Sequence, residues 1–437
     1  MEHPAVRKAA LRLIPFLFFL YVIAYIDRVN VSFAKLEMKD VSWFSEAIFA
    51  SGAGIFFFGY FLFEVPSNLI LRKVGARMWI TRIMITWGLI SALMALSSSA
   101  VTFYFFRFML GVAEAGFFPG VLLYLTFWFT RKERARVIAL FMTANAVALT
   151  FGGPLSGWIL DKAKALPAMQ PWQWLFVLEG VPAMLIGFVV LAYLPNGPKD
   201  AKWLTQEERE VIEERLRVEE LEFGKPVSVA DSHDNAVLLK LVKDSRVWMW
   251  CGVYFLLVFG MYGITMWLPQ LLKTMSGGDN TRVGQLTAIP YFTAGVAMVV
   301  NAWHSDKTNE RRWHIAVPAV IGSVGLALSG QAFMPLWGSL VCLSVAAAGM
   351  WSTLGPFWAV PPQFLRGVYV AAGLAMINSV GNLAGFAGPK LFGQVKAGSD
   401  SFLSSLLLLA GFVLAGGLFA GVVVPLLARR SAETEDQ

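Results

Sequence analysis

Charge is scarce in this 437-residue chain: Asp, Glu, Lys and Arg make up 15% of it, while 57% is hydrophobic. Soluble globular domains carry about a quarter charged residues, so a water-solvated surface is excluded over most of the length. Cysteine is nearly absent, and the two present, Cys251 and Cys342, both sit in apolar stretches. That excludes a disulfide framework and leaves two small core hydrophobes. Histidine is limited to His3, His233, His304 and His314, none at mid-span. With no metal-ligand or nucleophile constellation, an intramembrane enzyme has no support and no cofactor is expected.

What is present is length without charge. Residues 83–106, 137–160, 247–272, 283–305, 367–389 and 402–428 contain no Asp, Glu, Lys or Arg, and 313–365 is long enough for two spans, broken at Met334-Pro335. A bilayer core of about 30 Å takes roughly 20 apolar residues per helix. Weaker spans at 13–33, 48–71, 101–129 and 173–194 bring the expected number to twelve. These segments are too long and too rich in Gly and Pro for barrel strands. The expectation is an all-α membrane protein of two pseudo-symmetric six-helix bundles, residues 1–194 and 246–437. Between them lies a linker, 195–245, that opens with the turn Pro-Asn-Gly-Pro and continues as a charged helix. Thr205 and Glu208 form a capping-box pair at its start.

The excess of base belongs to topology rather than to nucleic acid. If both termini are cytoplasmic, the short inner segments hold sixteen Lys and Arg, and the outer loops hold eight, Lys35, Lys39 and Lys390 among them. That asymmetry obeys the positive-inside rule and fits a bacterial-type plasma membrane. The first apolar segment runs into Asp27-Arg28 without a small-residue cleavage signature, so it is expected to be retained.

Four ionisable side chains fall inside apolar spans: Asp27 and Arg28 in the first, Arg107 and Glu114 in the fourth. A charge at membrane depth costs at least about 2.5–3.5 kcal/mol, so it usually faces a cavity or a partner. Arg107 and Glu114 are seven apart, two helical turns, and share one helix face. Guanidiniums hold a carboxylate through a planar fork, and buried acids beside them can exchange protons. Arg28 and Arg107 are therefore candidates to clamp an anion, with Asp27 and Glu114 as proton carriers. The alternative is two salt bridges that only fasten helices. Glu64 and Glu179, beside Pro66 and Gly180, are expected to fasten helices or gates.

The two halves look related. FGGPLSGWILD at 151–161 aligns with FAGPKLFGQVK at 386–396 at a constant offset of 235, pairing Phe151 with Phe386, Gly153 with Gly388 and Pro154 with Pro389. RKVGAR at 72–77 corresponds to SDKTNERR at 305–312. Repeats of this kind signal a transporter with its site between them. Together with YVIAYIDRVNVSFA (21–34), GYFLFEVPSNLILRKVGAR (59–77), RFMLGVAEAGFFPG (107–120), WQWLFVLEG (172–180) and FWAVPPQFL (357–365), these motifs cover essentially the whole chain. The sequence resembles the major facilitator superfamily and, within it, the anion:cation symporter family.

That resemblance implies import of a small organic anion with protons through a lipid bilayer, by a carrier expected to work as a monomer. It places Arg28 and Arg107 at the substrate and Asp27 and Glu114 on the proton path. Spans one, four, seven and ten should line the site, with Tyr25, Tyr60, Asn145, Trp358 and Asn378 in the cavity wall. Substrates of similar sequences include tartrate-like hydroxy-diacids, sugar acids and aromatic carboxylates such as hydroxyphenylacetate or phthalate. A drug/proton exporter is the rival within the fold. The chain departs from the superfamily's inner-loop motif at Asn68 and Arg72, where Gly and Asp are usual.

The topology predicts that a fluorescent protein fused after Gln437 will fold and fluoresce in bacterial cells while alkaline phosphatase at the same point stays inactive; the opposite pair of signals would reverse the orientation.

Overall fold

The computed structural model describes residues 3–223, 235–365, 368–399 and 401–433. Among them there is no strand, and ten helices are long and apolar enough to cross a membrane. Lipid offers the backbone no hydrogen-bond partner, so each crossing segment must satisfy its own N–H and C=O groups. The first four spans are Pro4–Met38, Glu46–Val74, Ala76–Leu93, and Ala100–Glu114 with Phe117–Thr126. Arg131–Met142 with Ala144–Ala163 forms the fifth and Pro171–Tyr193 the sixth. After the linker come Ser245–Ser276, Asn280–Thr308 and Arg312–Ser329. Leu336–Ser352 continues through two short helices to Phe364, and Val368–Ala397 and Leu403–Glu433 complete two sets of six.

Local chemistry sets the ends. Ser45 accepts the Ile48 amide at 3.2 Å, and Ser99 pairs reciprocally with Thr102. Gly75, at φ +92°, turns the chain from the second span into the third. In the linker, Thr205 accepts the Glu208 amide at 3.2 Å and Glu208 accepts the Thr205 amide at 2.9 Å, starting the helix Gln206–Phe223. That helix lies on the first half, through an ion pair from Lys8 to Glu208 at 2.7 Å and another from Arg215 to Glu133 at 3.0 Å. Residues 224–234, 366–367, 400 and 434–437 lie outside the described residues, as do the side chains of Asn68 and Arg72, so the inner-loop departure has no structural account here.

The internal repeat has a spatial counterpart. The fifth span packs along the eighth, and the eleventh along the second, the same relation with the halves exchanged. Both contacts need close backbone approach. A methyl on Gly284 would strike the Gly153 carbonyl, and one on Gly54 would strike the Phe386 carbonyl. These contacts lie toward the far face, opposite the chain ends and linker. Lys35, expected in a loop, is instead inside the first helix and only 5% exposed, its ammonium 3.3 Å from the Trp267 ring of the other half. The first loop is shorter than expected, because helix continues to Met38.

One carboxylate holds the far face in a specific way. The first turn of a helix carries unsatisfied amides and positive potential. Asp161, at the end of the fifth span, accepts the Thr281 amide at 2.7 Å, the Thr281 hydroxyl at 2.8 Å and the Asn280 amide group at 3.0 Å. An acid of the first half thus satisfies a first-turn amide of the eighth span, beside that helix's own cap Asp279, which accepts the Arg282 amide at 2.8 Å. Losing a cap-like first-turn contact of this kind costs about 0.5–2 kcal/mol, enough to tilt a balance between closed and open faces. Asp161→Ala should therefore speed labelling of a Thr287→Cys thiol by an impermeant reagent several-fold from that side; an unchanged rate would mean the Asp161 contact does not hold the face shut.

Candidate functional site

The site begins where a helix stops. The first helix of the fourth span ends at Glu114, Ala115 is extended, and Gly116 turns left-handed at φ +85° before Phe117 restarts the helix. A side chain there would cost about 1–2 kcal/mol. Ala115 donates its amide to Gly111 at 3.0 Å, and Arg82 reaches the Ala113 carbonyl at 3.4 Å, supplying a cation at a helix C-terminus. The tenth span breaks at the matching level, at Thr353 and again before Pro361. Interrupted helices at mid-depth are the usual frame of a transport site.

Between the breaks lies a cavity of about 80 Å³. From the first half it is lined by Tyr21, Tyr25 and Arg28 on the first span, by Tyr60, by Phe118, and by Met142 with Asn145. The second half adds Tyr254, Val258, Met261 and Tyr262 on the seventh span, Trp351, Leu354 and Trp358 on the tenth, and Asn378 with Asn382 on the eleventh. Spans one, seven and ten contribute as expected. The fourth contributes only Phe118, and spans two, five and eleven join it. The walls are dominated by rings: Tyr254 stands edge-on to Trp358 at 5.0 Å, and Tyr21 to Tyr25 at 6.1 Å.

Arg28 is the one charged residue among the described lining residues. Its guanidinium is gripped by Glu114: Nε donates to Oε1 at 3.0 Å and Nη2 donates to the same oxygen. The rings of Tyr25 and Tyr60 lie 5.3 and 5.4 Å from its central carbon, a cation–π setting that replaces part of the lost hydration. Glu114 itself is fully buried and does not line the cavity.

The other two expected charges stand behind this wall. Asp27, 1% exposed, faces the third span and accepts hydrogen bonds from Trp87 Nε1, the Ser91 hydroxyl and, at 3.1 Å, Asn30 Nδ2. Arg107 is wholly enclosed, with Nε donating to the Gly52 carbonyl at 3.2 Å and its central carbon 5.0 Å from the Phe56 ring. Asp27 and Glu114 are the acids close enough to act on it electrostatically. The structure therefore brings Tyr25, Arg28, Tyr60, Asn145, Trp358 and Asn378 to the cavity, and places Asp27, Arg107 and Glu114 in the layer behind it. Glu64 joins the halves, accepting Asn378 Nδ2 and the Ser379 hydroxyl, each at 2.9 Å. Glu179 accepts the Ser156 hydroxyl at 2.7 Å within the first half.

Sequence reasoning missed Tyr21, Tyr254, Tyr262, Trp351 and Asn382. A signal existed: Tyr21, Tyr25 and Arg28 are spaced i, i+4, i+7, as are Tyr254, Val258 and Met261; Asn378 and Asn382 are i, i+4. One face of a helix repeats at that spacing. Among the described residues, no group of three or more His, Cys, Asp or Glu could hold a metal ion.

Two bundles of membrane-spanning helices enclosing a mid-depth cavity define a multi-pass membrane transporter. The sequence profile described as "Major Facilitator Superfamily" matches residues 17–389, and the chain belongs to that family. It is 43% identical over 432 residues to an Agrobacterium vitis protein named "Putative tartrate transporter", covering 99% of this chain and 96% of the relative. It is 38% identical over 433 residues to an Acinetobacter baumannii protein named "Quinolone resistance transporter", covering 99% and 98%. The crystal structure of a D-xylose-proton symporter superposes with a TM-score of 0.72 at 16% identity, covering 96% of this chain and 98% of that one, a likeness of fold alone.

Proposed function

We propose that the protein imports a small organic carboxylate together with protons, by alternating access, across a bacterial plasma membrane with both termini cytoplasmic. The observation that carries this reading is the Arg28–Glu114 pair at the cavity wall. A buried ion pair that loses one partner is destabilised by about 3–5 kcal/mol. Arg28 is therefore free for a substrate only if Glu114 is neutralised at the same time. A proton on Glu114 releases the guanidinium, and the substrate carboxylate takes the place of the Glu114 carboxylate. The charge of the site is the same before and after, so the halves can rock without exposing a bare ion to a dry interior. Binding energy that differs between the two faces then shifts the population from one to the other.

Asp27 is the second proton carrier in this scheme. Its hydrogen-bonded cage of Trp87, Ser91 and Asn30 lies one residue along the helix from Arg28. Arg107, between Asp27 and Glu114 electrostatically, keeps the acid pair in balance and supports the anion from behind Phe56. Tyr25, Tyr60 and Asn145 supply hydroxyl and amide groups to substrate oxygens, Asn378 offers its carbonyl oxygen to a substrate hydroxyl, and Trp358 is a flat wall. The relative named for tartrate supports carriage of an organic acid. A second reading, export of a planar drug in exchange for protons, draws on the relative named for quinolone resistance and on the ring-lined cavity.

Reconstituted in vesicles with the outside acidic, the protein should accumulate a labelled carboxylate, and an uncoupler should abolish the gain. Glu114→Gln should lose at least about tenfold of the gradient-driven uptake while retaining carboxylate counterflow. Uptake indifferent to the gradient, or extrusion of a drug in place of acid uptake, would overturn the reading.

A further inference from the structure

Counting charges at the cavity limits what kind of acid it can accept. Arg28 supplies one positive charge, and the remaining described lining residues supply none. Arg107 cannot serve as a second lining cation in this arrangement, because it is fully enclosed behind Phe56 and anchored to the Gly52 carbonyl. Across the cavity the described lining residues add no cation. Asn378 turns its amide donor away to Glu64, whose carboxyl is 4% exposed. Asn382 accepts from the Tyr262 hydroxyl at 3.4 Å. Whether Glu64 carries a charge or a proton, it adds no cation to that end.

The wall formed by the seventh and tenth spans is suited to something uncharged. Tyr254, Trp351 and Trp358 present ring faces and edges, the Tyr262 hydroxyl lies beside Arg28, and the Tyr hydroxyls and Asn side chains are polar points between them. Rings of this kind hold the flat face of an aromatic body or the C–H face of a polyol, and the polar points bond its hydroxyls. A second carboxylate placed there would be desolvated without a counter-ion.

We infer that the protein selects monocarboxylates: one carboxylate on Arg28, and an uncharged hydroxylated or aromatic body against the wall formed by the seventh and tenth spans. Diacids, including tartrate, are disfavoured because the described lining residues offer no second cation. This inference rests on the reading of Arg28 as the anion site and narrows it.

The test uses pairs of acids that differ by a single carboxylate: threonate against tartrate, and 4-hydroxybenzoate against 4-hydroxyphthalate. Thermal stabilisation of the purified full-length protein is measured at pH 6.5 over a concentration series. In at least one pair the monoacid should act at a concentration at least about tenfold lower than its diacid. Asn382→Lys, which adds a second cation to the cavity beside Tyr262, should narrow or invert that ratio; if this variant fails to fold, the wild-type comparison decides alone. A diacid acting as well as or better than its monoacid in both pairs overturns the inference and leaves the carboxylate reading standing. Stabilisation by none of the four acids, or stabilisation undiminished in Arg28→Gln, overturns the carboxylate reading and the inference with it.

Discussion

A cation buried at mid-membrane cannot stand alone, and this constraint organises the centre of the molecule. Arg28 sits where the first span passes the break in the fourth, and Glu114 sits at the last residue before that break. The left-handed turn at Gly116 ends the helix there, leaving Glu114 as its final residue beside the first span. The pair gives the cavity a single guanidinium whose counter-ion is a titratable side chain. A substrate carboxylate and Glu114 then compete for one partner. In the proposed function that competition is the coupling: the proton is the condition under which the competitor withdraws.

The surrounding fold keeps the site between two movable bodies. Close glycine approaches let the fifth span lie along the eighth and the eleventh along the second, on the far side of the cavity from the chain ends. Asp161 accepts a first-turn amide of a helix of the other half, and Lys35 reaches the Trp267 ring across the same seam. Nearer mid-depth, Glu64 ties the second span to Asn378 and Ser379. Asn378 also lines the cavity, so a substrate that moves it would pull on a contact between the halves.

Much of this was legible in the chain because membranes impose simple rules. Charge-free runs marked the spans, and the matched Gly-Pro motifs at 151–161 and 386–396 marked the repeat. Arg28 and Glu114 stood out because lipid tolerates neither. What could not be read was the direction each side chain takes within the bundle. Asp27 and Arg28 are neighbours in sequence, yet about 100° apart around a helix; one turns to Trp87 and the other to the cavity. Arg107 shares a helix with Glu114, yet faces the second span through Gly52 and Phe56. The ring-lined wall was hidden because Tyr and Trp are common in this chain, and only the packing of the seventh span against the tenth singles out Tyr254, Trp351 and Trp358.

The most direct measurement is the proton count on binding. A monocarboxylate that stabilises the protein is titrated calorimetrically near pH 7 in buffers of different ionisation enthalpy. If the substrate displaces Glu114 from Arg28, wild type takes up protons on binding and Glu114→Gln takes up about one fewer per acid bound. Binding without proton uptake in the wild type, or uptake unchanged in Glu114→Gln, would contradict the account.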